Sequence, residues 1–258
     1  MKTLFFIILF LTFPLSLNGS SKAFAQEPIY IAIVIDDFGN PYDDVEEMIA
    51  LDIPITGAVI PGLPNSVQQM YSLKENGHGV MIHMPIESRG SRKGWDTDLA
   101  LKACLSKEEI ISRLETAIAE LSLATAINNH MGSIGTANRD LMEIFVAKAK
   151  EHDLIVLDSI TTSKTKIGEV AEEQNADFLK RDVFLDDKHG TGHVHKSFLE
   201  ALEIAKKNGF AIVIGHVGPA GHCGTTVQGI KNMITQLKGE GVTFVTIDEL
   251  YKLKKYAD

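Results

Sequence analysis

The run Tyr30-Ile31-Ala32-Ile33-Val34-Ile35, closed by Asp36-Asp37-Phe38-Gly39, decides the fold. Six uncharged residues, most of them β-branched, read as a strand buried on both faces, the pattern of a parallel sheet covered by helices. Working outward, similar runs recur at Ile55–Val59, Gly79–Ile82, Thr125–Asn128, Leu154–Leu157, within Phe178–Leu185, at Phe210–Ile214 and at Val242–Thr246. Helical patterns separate them. Val45, Met48 and Ile49 fall at helical spacing, and a second helix runs from an Asn65 cap to Gly77. Ser106 followed by Glu109 is a capping box opening a helix through Ile110, Leu114, Ile118 and Leu121. Asp140–Lys150, Ile167–Gln174, His195–Lys207, Thr225–Lys238 and a short terminal segment complete the series. Strand and helix thus alternate to the end, which makes the class α/β. Seven or eight such units lead us to expect a distorted (β/α) barrel of about seven parallel strands, with a doubly wound open sheet as runner-up. No linker rich in Pro, Gly or Ser divides the chain, so residues 26–258 are expected to form one domain. Ser88–Thr97, with Arg89, Gly90, Arg92, Lys93 and Gly94, is the one long irregular insertion and is expected near the mouth.

The 258 residues are 45% hydrophobic and 23% charged, with 21 Gly, 8 Pro and 2 Cys. This profile excludes collagen, a disordered tail and a disulfide-dense miniprotein. Acidic residues number 34 against 25 Lys and Arg, a net charge of −9. No basic face for a phosphate backbone is expected, so nucleic acid is not a partner. Met1–Ala25 reads as an export signal: Lys2 opens it, Leu4–Leu17 is apolar, and Ala23-Phe24-Ala25 supplies small residues for cleavage. The apolar run is short for a membrane span, and no second candidate follows. The expectation is therefore a periplasmic or extracellular protein, cleaved near Ala25 and not integral to the membrane. Cys104 and Cys223 are far apart with no CxxC spacing, which favours two free or structural thiols, with one disulfide between them as the alternative.

The polar residues gather where strands end. Asp36-Asp37 follows the first, His83 ends the third, Asn128-Asn129-His130 the fourth and Asp158-Ser159 the fifth. Asp186-Asp187 lies beyond the sixth, His216 ends the next, and Asp248 follows the last. In a parallel barrel these positions share the C-terminal face, where the active site is built, and an open sheet would place its ligand there too. Asp158 and Asp248 also fit as helix caps, and a single His at a strand end is commonly structural. Two adjacent carboxylates at a buried strand end, by contrast, repel unless a cation or a proton sits between them. The dyad with His83, His130 and His216 therefore points to a metal-assisted hydrolytic site. His189, His193 and His195 are expected in a solvated, Gly-rich loop.

Several strings resemble the divergent polysaccharide deacetylase family: Ile35-Asp36-Asp37-Phe38-Gly39, Gly77–Glu87 and, most specifically, Asn128-Asn129-His130-Met131-Gly132-Ser133. Leu157-Asp158-Ser159, Arg181–Asp186 and Ile214-Gly215-His216 follow in order. The resemblance implies a deacetylase-like barrel that hydrolyses acetyl groups on a cell-envelope polysaccharide or related glycan, with a divalent metal, zinc first. It implies Asp36 as general base, Asp37 and His83 as metal ligands, and His216 as the acid that protonates the leaving group. The second His of the family's metal pair is replaced by Glu87, so the third ligand is either Glu87 or His130. Asn128 and Asn129 are expected to orient substrate or ligands, or to satisfy strand-end backbone groups. Asp158 and Asp186 are expected to orient His216 or another imidazole, with Arg181 paired to one of them. A non-catalytic glycan-binding or envelope-scaffold protein on the same barrel is the alternative. A phosphoesterase is disfavoured by the lack of a phosphate-cradling Gly-rich loop.

Overall fold

A computed structural model describes residues 28–90 and 97–255. The proposed export signal and residues 91–96 of the insertion lie outside the described residues. Strands β1 (Ile29–Phe38), β2 (Thr56–Val59), β3 (Gly79–Ile86), β4 (Ala126–Met131), β5 (Ile155–Asp158), β6 (Phe178–Lys180), β7 (Val183–Phe184), β8 (Phe210–His216) and β9 (Val242–Val245) form one sheet in the order β6-β5-β4-β3-β2-β1-β8-β7. Every pairing is parallel. The two ends of that order, β6 and β7, are joined in sequence by Arg181-Asp182 alone. One bent segment therefore spans from the β5 edge to the β8 edge and completes a distorted barrel. Outside lie α1 (Val45–Ile49), α2 (Ser66–Glu75), α3 (Lys107–Glu120), α4 (Arg139–Glu151), α5 (Ile167–Gln174), α6 (Thr191–Asn208), α7 (Thr225–Gly239) and α8 (Ile247–Lys255).

The capping box is present in both halves: Ser106 Oγ accepts from the Glu109 N–H, and Glu109 accepts from the Ser106 N–H. Asn65 precedes α2 without a side-chain cap; Asn138 caps α4 instead, accepting from Leu141 N–H. Helix α6 begins at Thr191, so His193 and His195 lie in its first turns rather than in a loop.

Alternate residues of each strand pack into two separate clusters. Ile31, Ile33 and Ile35 of β1 join the large cluster beneath the helices. Ala32 and Val34 join a smaller one with Ala58, Met81, Ala126, Leu157, Ile212 and Ile214, which fills the barrel interior. Side chains two apart along a strand share a face. The interior rows therefore run Ala32-Val34-Asp36, Met81-His83, Ala126-Asn128-His130, Leu157-Ser159 and Ile212-Ile214-His216. Each row is apolar at depth and changes to a hydrogen-bonding residue at the C-terminal end. An apolar plug thus supports a polar floor for the mouth.

Strand β9 breaks the pattern. It pairs with Ile29–Ala32, the opening half of β1, so its end lies far from the mouth. Ile247 N–H donates to Thr56 Oγ1 at the start of β2. Asp248, expected among the strand-end carboxylates, belongs instead to the first turn of α8, accepting from Thr246 Oγ1 and pairing with Lys252.

Candidate metal-binding active site

Asp36 and Asp37 would point to opposite faces in a regular strand. They do not, because Asp37 has φ of 71° and the register with β2 slips between Ile35 and Phe38. This bulge turns both carboxylates onto one imidazole. His83 Nδ1 lies 3.6 Å from Asp36 Oδ1, and His83 Nε2 lies 3.4 Å from Asp37 Oδ1. His130, two residues beyond Asn128 on the inner face of β4, brings Nδ1 within 3.0 Å of Asp37 Oδ1 and 3.0 Å of His83 Nε2. Asp37, His83 and His130 are the one group of three or more potential metal ligands that converges among the described residues.

The donor set fits a small divalent ion. Nitrogen and oxygen ligands at ~2.0–2.1 Å around one tetrahedral ion stand roughly 3.3 Å apart, close to the three observed separations. Asp37 Oδ1 is buried and, despite its proximity to both imidazoles, has no hydrogen-bond partner. Orphaned buried polar atoms are rare in folded proteins, and an ion is one of the few things that explains them.

Electrostatics separates the two carboxylates. Burial pushes Asp36 up from the ordinary carboxylate range against the lowering pull of His83, His216 and Asn128. Burial also acts on Asp37, but the adjacent His130 and His83 outweigh it and hold that carboxyl well below its usual value. His83 is raised because Asp36 and Asp37 overcome its burial. One carboxylate is suited to accept a proton, and the other to remain an anion beside a cation.

On the opposite side of β1, Asp36 and His216 are partners across the β1–β8 ladder. Asp186 fixes His216 twice: Oδ1 accepts from His216 Nδ1 at 2.9 Å, and Oδ2 accepts from its backbone N–H at 2.7 Å. Thr226 Oγ1 also donates to Asp186 Oδ2. Burial alone would lower the imidazole, but the Asp186 hydrogen bond and charge, with the dyad, lift it to about 10. His216 stays protonated at neutral pH, with Nε2 left over. Phe184 stacks on it, the ring centroids 5.8 Å apart.

Other expected residues take different places. Glu87 does not join the cluster. Leu101 N–H bonds the Pro85 carbonyl and Glu87 N–H bonds the Leu101 carbonyl, so the returning chain lies along the end of β3, where the Glu87 carboxylate accepts from Ala103 N–H at 2.9 Å. Asp158 does not reach His216, since its oxygens accept from Ile160 N–H and Thr165 Oγ1. Arg181 forms no ion pair with Asp158 or Asp186. Its guanidinium donates to the Ser159 and Ile160 carbonyls and lies 3.7 Å over the Phe184 ring. Asn129 ties β4 to the β5 loop, accepting from Ser159 N–H and donating to the Met131 carbonyl and Thr161 Oγ1. Asn128 alone faces the cluster. His193 pairs with Asp187, and His189 stacks on His222, whose Nε2 donates to the Asp186 carbonyl. Cys104 and Cys223 are free and exposed. The sequence assigned no role to Ser159, Thr226 or Phe184, which support the site; Ser159 stood among the strand-end polar residues, and its place two residues beyond Leu157 puts it on the inner face.

A barrel of parallel strands with a carboxylate and two imidazoles at its mouth defines a class, and comparison with known proteins narrows it. The divergent polysaccharide deacetylase model matches residues 33–251, and the chain belongs to this family. It is 36% identical over 200 residues to an uncharacterized protein of Haemophilus influenzae, covering 78% of this chain and 70% of that one. It is 31% identical over 220 residues to the uncharacterized protein YibQ of Escherichia coli, covering 85% and 66%. Among solved structures, the uncharacterized protein ATU2773 from Agrobacterium tumefaciens superposes with a TM-score of 0.79 at 20% identity, over 88% of this chain and 90% of that one. A family 4 acetyl xylan esterase from Clostridium thermocellum in complex with a cobalt ion follows at TM-score 0.54 and 14% identity, over 88% and 92%. The catalytic domain of a peptidoglycan N-acetylglucosamine deacetylase from Eubacterium rectale gives 0.51 and 15%, over 85% and 89%. At these identities the structural neighbours share the fold. No helix among the described residues is long and apolar enough to cross a membrane.

Proposed function

We propose that the protein is an exported, metal-dependent hydrolase that removes acetyl groups from a cell-envelope glycan. The observation that carries this reading is the approach of Asp37, His83 and His130 to within 3.0–3.4 Å of one another, with Asp36 and its β8 ladder partner His216 beside them. Family membership supports a polysaccharide substrate. The cobalt ion of the esterase neighbour supports a divalent metal, and the donor chemistry favours zinc. The Met1–Ala25 sequence supports export.

Asp37, His83 and His130 would hold the ion. When bound, a divalent cation supplies Lewis acidity and makes a neighbouring water a better acid. Asp36, raised by burial, takes a proton from the water that attacks the acetyl carbonyl. His216, held by Asp186 and protonated at neutral pH, gives a proton to the departing sugar nitrogen or oxygen. Acetate and the free amine or alcohol are the products, and the two proton positions are restored by exchange with solvent.

Acetate release from acetylated chitooligosaccharides and peptidoglycan fragments, with Zn²⁺, Co²⁺ or Mn²⁺ added, tests the proposal. Release that requires the cation is expected. Glycan binding without acetate release under every cation would favour the scaffold reading.

A further inference from the structure

Asn128 is buried at the centre of the site, between the two groups whose roles differ most. Its Oδ1 lies 2.7 Å from His83 Nδ1, and its Nδ2 lies 2.9 Å from Asp36 Oδ1 and 3.3 Å from Ser159 Oγ. An amide placed this way can be turned over without changing its shape, so its orientation must be read from its neighbours. Ser159 settles it. The Ser159 hydroxyl donates its single proton to the Asn129 carbonyl. Its oxygen therefore accepts from Asn128, which places the NH2 group toward Ser159 and Asp36. The carbonyl oxygen then faces His83 Nδ1. An amide oxygen only accepts, so His83 carries its proton on Nδ1 and presents a bare Nε2 to Asp37 and His130.

We propose that Asn128 is a positioning residue that couples the two halves of the site. Its carbonyl sets the His83 tautomer that exposes Nε2 to the cation, and its amide N–H holds the Asp36 carboxylate beside it. This inference rests on the proposed cation site, and it adds that one side chain aligns both a ligand and the base. Groups that hydrogen-bond a ligating imidazole commonly set its orientation, and their loss weakens metal binding ~10–100-fold.

The test separates the inference from the reading beneath it. Long-range ¹⁵N NMR of the metal-free protein, at a pH where the imidazole is neutral, reports the His83 tautomer without metal or turnover. The Nδ1–H form is expected in the wild type; a His83 found with its proton on Nε2 overturns the proposal. Asn128→Leu, which removes both contacts, is expected to lose the tautomer preference and to weaken Zn²⁺ binding by ~10–100-fold. Asn128→Asp keeps an acceptor for His83 but sets a carboxylate against Asp36. It is expected to keep the tautomer and Zn²⁺ affinity within several-fold of wild type while losing acetate release. Unchanged tautomer and Zn²⁺ affinity in Asn128→Leu, or wild-type turnover in Asn128→Asp, contradicts the coupling. Should either variant fail to fold, the wild-type tautomer still decides. A wild type that binds no cation refutes the cation reading and the coupling with it, whereas a wild type that binds Zn²⁺ with the wrong tautomer refutes the coupling alone.

Discussion

The two ends of the barrel use left-handed backbone conformations for different purposes. Where strands begin, these conformations fall just after helices, at Gly77, Gly209 and Gly241 and at Asp153 and Asn175. Gly, Asn and Asp adopt them at least cost. At the mouth glycines adopt them too, at Gly39, Gly62, Gly90, Gly132, Gly190, Gly218 and Gly224, but so do Asp37, Met131, Ile160, His222 and Cys223. Ile160 is β-branched and poorly suited to such a conformation, and each strained residue costs about 1–3 kcal/mol. The mouth keeps them because the bends place functional groups. Asp37 turns its carboxylate back onto His83, and the bend at Ile160 gives its N–H to Asp158 and its carbonyl to Arg181. Among the described residues, only the mouth puts residues other than Gly, Asn and Asp into this conformation.

Substitutions at the two ends sharpen that contrast. The largest difference is expected between Asp37→Ala at the mouth and Asp248→Ala at the far end. The first should reduce acetate release by ~10³-fold or more, the loss expected when several kcal/mol of Lewis-acid assistance disappear. The second should leave release within about twofold of wild type. His216→Ala comes next, with turnover lowered ~10²–10⁴-fold and bound metal retained. If the metal is lost with His216, the acid and ligand roles are exchanged.

A smaller effect concerns stability. In the metal-free protein His216 is raised from 6.5 to about 10 by its partners. A raised folded-state value stabilises fully below the unfolded value, and that contribution fades as pH rises through the folded one. Asp186→Asn should therefore cost on the order of 3 kcal/mol in urea unfolding at pH 6. The gap to wild type should narrow as pH approaches 10; a gap independent of pH would show that His216 does not titrate as described. The smallest effects test the backbone. Gly209→Ala, at φ of 82°, should lower stability by about 1 kcal/mol. Cys223→Gly, at φ of 51° on an exposed residue, should raise it by up to about 1 kcal/mol. Thermal unfolding of the two variants checks both signs.

The fold was legible because its strands are apolar on both faces, and Tyr30–Ile35 alone separates a parallel sheet from an antiparallel one. That same property hid the site's geometry. With Ile33, Val34 and Ile35 all apolar, nothing in the sequence marks the inner row Ala32-Val34-Asp36, so the order of approach to the mouth stayed hidden. The bulge at Asp37 is likewise silent, since two adjacent Asp residues look alike until one φ turns positive. Glu87 drew attention through its spacing from His83, but the spacing of a ligand pair is not informative where the strand has ended. At that point a nearby backbone N–H, that of Ala103, claimed the carboxylate. Asp248 was misplaced because strand order in sequence does not reveal that β9 pairs only with the first half of β1.

Bound-metal analysis after reconstitution with Co²⁺ tests the central claim most directly. We expect one ion per chain in the wild type and in Glu87→Ala, and none in Asp37→Ala or His130→Ala. An ion that survives the loss of Asp37 and of His130, or one that leaves with Glu87, would contradict the assignment of the mouth as a cation site built from β1, β3 and β4.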